Sequence, residues 1–190
     1  MLKVVATIDT PISHHGAARP EVKNSAVLDP ARRATMGKSK RLWYLHTVQS
    51  HLFNRIVARR VASLDRLVPG DWAVKHVNGA CFPVVDVTAE QPRVERFEIS
   101  PTGILFGSRA PWATDEAGTI EREAAAGYGM TPESLNQAGT ACRFRGERRP
   151  LRIPLQELKW GIDGDRLTLS FLLPAGAYAT SVLRELMKSD

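Results

Sequence analysis

"KSKRLWYLHTVQSHLFNRIVARRVASL", residues 38 to 64, sets how the rest of the chain has to be read. Leu45, Val48, Leu52 and Ile56 recur at helical spacing, with Phe53 and Val57 beside them, so one face is apolar. The other face carries His51, Arg55, Arg59 and Arg60. Ser39 is placed to cap the start, and Pro69-Gly70 to end the segment. This is the longest helix the sequence predicts, and the chain changes character on both sides of it.

On the N-terminal side a short β-type run, Leu2 to Ile8, meets Pro11, His14-His15, Pro20, Pro30 and a basic stretch from Arg32 to Arg41. No long helix is predicted there, and residues 1–37 read as a loosely ordered arm. His14-His15 lacks a third ligand at a suitable spacing and reads as a solvated loop. On the C-terminal side the pattern turns to strands. "DWAVKHV" and "ACFPVVDV" flank Asn78-Gly79, a two-residue hairpin signal, and Pro83 confines the second strand to an edge or bulge. "RVERFEIS" (93–100) alternates like a half-buried strand, and "PTGILFG" (101–107) reads as an apolar loop bounded by glycine. Asp115 to Ala126 and Pro132 to Ala138 read as short helices, the second with Thr131 as its cap and Pro132 at its first position. "LQELKWGIDGDRLTLSFLLP" (155–174) is a hairpin turning at Asp163-Gly164, with Leu167, Leu169 and Phe171 on one face. A helix from about Ala177 follows, and Val182 and Leu186 are expected to share a core with that strand face.

Composition bounds the function. The 190 residues, 43% hydrophobic, suit one ordinary domain or two small ones and are not those of a disordered chain. No apolar run reaches the ~18–20 residues of a membrane span, and the first residues lack the apolar region of a signal peptide, so the chain reads as cytoplasmic. Cys81 and Cys142 stand far apart, which excludes a zinc ribbon and argues against a disulfide scaffold. Lys and Arg total 26 against 20 Asp and Glu, a net +6, which suits a polyanionic partner. Phosphate-loop, dinucleotide-binding, zinc-protease and serine-hydrolase motifs are absent, and nothing in the residues calls for a metal or an organic cofactor.

Two places could carry chemistry. "CRFRGERRPLR" gathers Arg143, Arg145, Arg148, Arg149 and Arg152 around Phe144. Guanidinium forks match phosphate oxygens and the ring could stack on a base; alternatively the arginines pair with Glu147 and its neighbours in a solvated loop. In "FLLPAGAYATSVLREL" (171–186) Gly176 permits a tight strand-to-helix bend with Tyr178 at its mouth. A ring beside a helix start could stack on a base, or Tyr178, Val182 and Leu186 could form one buried stripe.

Taken together, these stretches resemble the TruD family of tRNA pseudouridine synthases. "LPAGAYATSVLRELMK" (173–188) is similar to the family's closing signature, and "SHLFNRIVARRV" (50–61) to its S-x-L-F-N helix. "VPGDWAV", "QPRVERFEISPTGILFG" and "RGERRPLRIP" fall between them in the family's order. Ala177 departs from the family pattern, which has serine there. A larger departure is at the front: the G-x-K-D-x-x-A motif that carries the nucleophilic aspartate and the N-Y-F-G-x-Q-R-F-G motif are not found. Asp9, in "VATIDTP", lacks the flanking lysine and alanine and is not expected to be that nucleophile.

The resemblance implies an α/β (α+β) fold: an insertion domain at 38–150 and, at 151–190, a hairpin and helix belonging to the catalytic domain. It implies an isomerase that converts a tRNA uridine to pseudouridine without a cofactor, in which Tyr178 contacts the extruded base. No catalytic residue is assigned, and the chain alone is expected to be inactive. Its expected partners are tRNA and, through an uncovered hairpin, either itself or a complementary N-terminal half. A catalytically dead RNA-binding remnant and a fragment without function are the other expectations.

Overall fold

In chain order the elements are β1 (Leu2–Asp9), α1 (Pro30–Ala34), α2 (Lys38–Arg60), β2 (Trp72–Lys75), β3 (Cys81–Pro83), α3 (Val87–Glu95) and β4 (Ile99–Leu105). They continue with α4 (Asp115–Ala126), α5 (Pro132–Ala141), β5 (Glu147–Pro150), β6 (Gln156–Asp163), β7 (Arg166–Leu173) and α6 (Ala179–Leu186). This computed structural model describes residues 2–9, 29–174, 177 and 179–186. It divides into two units, Pro20–Ile153 and Met1–Arg19 with Pro154–Asp190.

The larger unit is built on α2. Leu45, Val48, Leu52, Phe53 and Ile56 bury the predicted stripe against Ile104, Leu105 and Phe106, with Ala124, Ala125, Leu135 and Ala138 of α4 and α5 closing the core. The cap position of the helix is Gly37 instead of Ser39, and the helix runs from Lys38 to Arg60, followed by a 3-10 turn over Val61–Ser63. Its sheet is antiparallel in the order β3-β2-β4-β5, which leaves β3 and its Pro83 on an edge.

Two segments correct the sequence expectation. "PTGILFG" is not a loop: Pro101 to Leu105 lie in β4, every residue of which is buried. Proline normally argues against an inner strand. Here the ladder changes partner at that point, since β2 pairs with Ile99 to Pro101 and β5 with Thr102 to Leu105. "RVERFEIS" is not one strand either. Asp86 accepts a 3.0 Å bond from the Ala89 N–H and caps α3, which runs on to Glu95 with Val94 buried. Phe97 then takes a left-handed φ of 56°, and extension begins only at Ile99. The period-2 alternation spans a helix end and a strand start.

Close backbone contact explains one glycine pair. A Cβ on Gly107 would lie 2.3 Å from the Gly146 nitrogen, and Gly146 itself has φ +69°. The chain leaving β4 and the chain entering β5 can run together only because neither carries a side chain there.

In the smaller unit the strand order is β1-β7-β6. The hairpin forms as predicted, with Gly164 at φ +57° in the turn and Asp163 opposite Arg166. Leu169, Phe171 and Leu173 are buried, while Leu167 and Val182 are half-buried; the side chain of Leu186 lies outside the described residues. The expectation that β7 lacks a neighbour on its other side is overturned. β1 pairs with it in antiparallel register from Leu2↔Leu173 to Asp9↔Arg166. The first residues, read as part of an arm, therefore belong to this sheet.

Candidate nucleic-acid interface

The larger unit concentrates exposed positive charge where α2 begins and α5 ends. Gly37 supplies no side-chain cap to α2, and the first turn has no acid. Lys38, Lys40 and Arg41 stand there instead, adding full charges to the partial positive charge of the helix start. From the other side, α5 delivers Ala141, Cys142 and Arg143. Lys38, Arg41, Leu42 and these three residues line a cleft of about 260 Å³. Three cations around so small a concavity make it complementary to a phosphate group.

The segment after α5 is pinned by its one aromatic. Phe144 is buried, edge-on to His46 at 4.8 Å between ring centroids and 6.1 Å from Phe106. The expectation that it stacks on a base is therefore corrected; it is a core anchor. Its backbone nitrogen bonds the Gly139 carbonyl at 2.7 Å, and its carbonyl accepts from Ser108 at 2.9 Å. Alternation about that anchor sends Arg143 and Arg145 outward. The Arg145 carbonyl accepts from the Arg109 N–H at 2.9 Å, so an exposed Arg109 adjoins Arg145.

The predicted arginine cluster is thereby split. Arg143 and Arg145 are exposed, and Arg149 is half-buried with its guanidinium 5.4 Å from the centroid of the Phe53 ring. Arg148 does not belong with them. It is buried, paired with Glu121 at 2.8 Å, and donates to the Thr102 hydroxyl at 3.0 Å and to the carbonyls of Thr102 and Pro111 at 2.8 and 3.0 Å. Burial pushes the Glu121 carboxyl up, opposed by Arg148 and by the Ala113 and Ile104 N–H groups that donate to it. Those bonds tie α4, β4 and β5 together, leaving Arg148 nothing to offer a phosphate.

The arginine face expected on α2 divides in the same way. Arg60 is buried, bonding both Asp71 carboxylate oxygens at 3.0 and 3.1 Å and the Arg66 carbonyl at 2.7 Å. Arg55 lies over Tyr128, 4.6 Å from the ring centroid, and His51 bonds the Tyr128 hydroxyl. Arg152 stacks on Phe97 at 4.0 Å. Lys38, Arg41 and Arg109 were not singled out from sequence. The first two end the visible basic stretch from Arg32 to Arg41, but only folding sets them beside Arg143.

Tyr178 and His14-His15 lie outside the described residues. Among the described residues, no group of three His, Cys, Asp or Glu side chains is placed to hold a metal ion. No helix there is long and apolar enough to cross a membrane. The aspartates have structural places: Asp71 in its pair with Arg60, Asp86 as a cap, and Asp163 beside the hairpin turn.

The sequence profile of tRNA pseudouridine synthase D (TruD) matches residues 24–186. The chain belongs to the TruD family. Among curated members, a tRNA pseudouridine synthase D from Syntrophotalea carbinolica is 49% identical over 162 residues, covering 85% of this chain and 40% of that protein. One from Thermus thermophilus is 49% identical over 146 residues, covering 76% and 39%. The chain thus spans about two-fifths of the length of these TruD relatives. A solved structure from Methanosarcina mazei, named as a tRNA pseudouridine synthase D (TruD), matches with a TM-score of 0.67 at 24% identity, over 88% of this chain and 42% of that one. That likeness shows the mixed helix-and-sheet fold of the family.

Proposed function

We propose that this chain serves the isomerisation of a tRNA uridine to pseudouridine, as a cytoplasmic tRNA-modifying component, and that its larger unit grips the tRNA backbone. The observation that carries this reading is the cleft lined by Lys38, Arg41 and Arg143 in a chain of the TruD family. Arg145 and Arg109 extend the positive surface, and Arg149 contributes from its position over Phe53. Backbone contacts of this kind fix register and orientation on an RNA without reading its sequence. Tyr178 is proposed to stack on the target base, which must leave its neighbours before its glycosidic bond can be cut.

The chemical step needs a carboxylate nucleophile beside the target sugar, and no aspartate in these 190 residues has the family's flanking pattern. The nucleophile is therefore proposed to come from a complementary N-terminal portion of the family fold, and this chain alone is proposed to bind without turnover. A catalytically dead RNA-binding protein is the second reading, favoured by the same cleft standing without that motif.

The test is tRNA binding across a salt series, followed by chemical mapping of pseudouridine. Affinity should fall steeply with salt, and Lys38→Ala, Arg41→Ala or Arg143→Ala should each flatten the slope by about one phosphate contact. An unchanged slope in the triple variant refutes the interface. Turnover restored by adding the N-terminal portion of a relative favours the component reading; binding that still gives no turnover after that addition favours the dead one.

A further inference from the structure

We infer that two copies of this chain pair through the open edge of β6, in a two-fold antiparallel ladder centred on Gly161. Among the described residues the strand order makes β6 an edge, and all eight of its residues are exposed. Three are large and apolar: Leu158, Trp160 and Ile162, at 49%, 68% and 69% exposure. Trp160 lies opposite Leu169 and Ile162 opposite Leu167 on β7. The exposed row therefore extends the side of the sheet on which Leu169 is buried.

The backbone at that edge is ready to pair. Asp163 and Arg166 close a two-residue turn, so Asp163, Gly161 and Lys159 aim their N–H and C=O groups at β7. Trp160 and Ile162 aim theirs outward. Natural edges are protected by proline, inward charge or a bulge. Here the irregularity between Gln156 and Lys159, with Glu157 at φ +50°, interrupts the strand's beginning and leaves Lys159 to Asp163 regular.

Charge and apolar pairing together select the register, and the selection favours a second copy. Pairing centred on Lys159 sets that lysine against itself. Centring on Trp160 brings Glu157 against Asp163 of the partner subunit, two acids. Centring on Gly161 sets Lys159 opposite Asp163 of the partner subunit and Trp160 opposite Ile162 of the partner subunit, each twice by symmetry. Lys159 and Asp163 then occupy non-hydrogen-bonded positions, where side chains approach most closely. The Trp160–Ile162 pairs use the outward backbone groups. A Cβ at Gly161 would meet nothing within 4 Å, so the axis is unobstructed.

The inference is independent of tRNA binding. It is tested by sedimentation equilibrium on the whole chain and on the variants Lys159→Glu and Asp163→Lys. The wild type should dimerise. Each variant alone meets like charge twice and should dimerise about tenfold more weakly or worse. Mixed in equal amounts, the two restore both ion pairs and should form a heterodimer of wild-type strength. A wild type that stays monomeric up to its solubility limit overturns the inference. So does a dimer indifferent to both variants, or a mixture no stronger than its components. Far-ultraviolet circular dichroism confirms that each variant is folded before it is scored.

Discussion

Arg148 shows how one side chain's role depends on what is stacked around it. In sequence it is one of five arginines in eleven residues; in the fold it neutralises Glu121 below the surface. Removing one partner of a buried pair leaves the other charge uncompensated. Arg148→Met should therefore destabilise the larger unit by roughly 3–5 kcal/mol, and the double variant with Glu121→Gln should recover much of that loss. Chemical denaturation of the three proteins checks it; a single variant as stable as wild type would mean the pair is solvated. His76 gives a pH-dependent case. Its ring bonds the Ser100 hydroxyl at 2.8 Å, and burial, then the nearby Arg152 cation, hold its pKa below the ordinary 6.5. A depressed histidine favours the neutral form in the folded state, so its contribution is complete above pH 6.5 and is lost as pH falls through the folded value. Denaturation midpoints should drop on acidification through that window, and His76→Gln should shrink the drop. An identical pH profile in the variant would falsify this assignment.

At the scale of elements, most of what periodicity could carry was legible. The stripe on α2, the cap and leading proline of α5 and the β6–β7 hairpin follow from side-chain spacing and turn chemistry alone. β4 was not legible, because its proline and glycines read as punctuation when taken locally. It becomes a strand through two different neighbours that lie on either side of it in sequence. α3 was missed because Pro92 and the charged residues around it hid a helix whose evidence is one capping aspartate and one buried valine. The site was half legible for the same reason: five arginines could be seen, but exposure sorts them, and Lys38 and Arg41 meet Arg143 only through the packing of α2 and α5. Phe171, almost wholly enclosed in the centre of β7, is the element-scale stability test. Phe171→Ala should cost about 3–5 kcal/mol. A loss under ~1 kcal/mol would mean that this face is open to solvent.

At the scale of the molecule, the two units use the chain differently. The larger takes one continuous stretch, Pro20–Ile153, and the smaller takes both ends. A fragment of residues 20–153 should fold alone, and its α2 and β4 amides should exchange as slowly as those of the whole chain in a parallel measurement. A fragment without slow-exchanging amides would show that it needs the ends.

The pairing of β1 with β7 has a consequence in time. Leu2 precedes the larger unit in the chain, and its partner Leu173 is made only after that whole unit. Closing that ladder requires ordering a loop of nearly the entire chain, so contacts so distant in sequence should form last. During synthesis β1 would wait, unpaired, while α2 and its sheet fold ahead of it. In refolding from denaturant, a probe on β1 should report a slower phase than one on α2, and shortening the stretch between the strands should speed that phase alone.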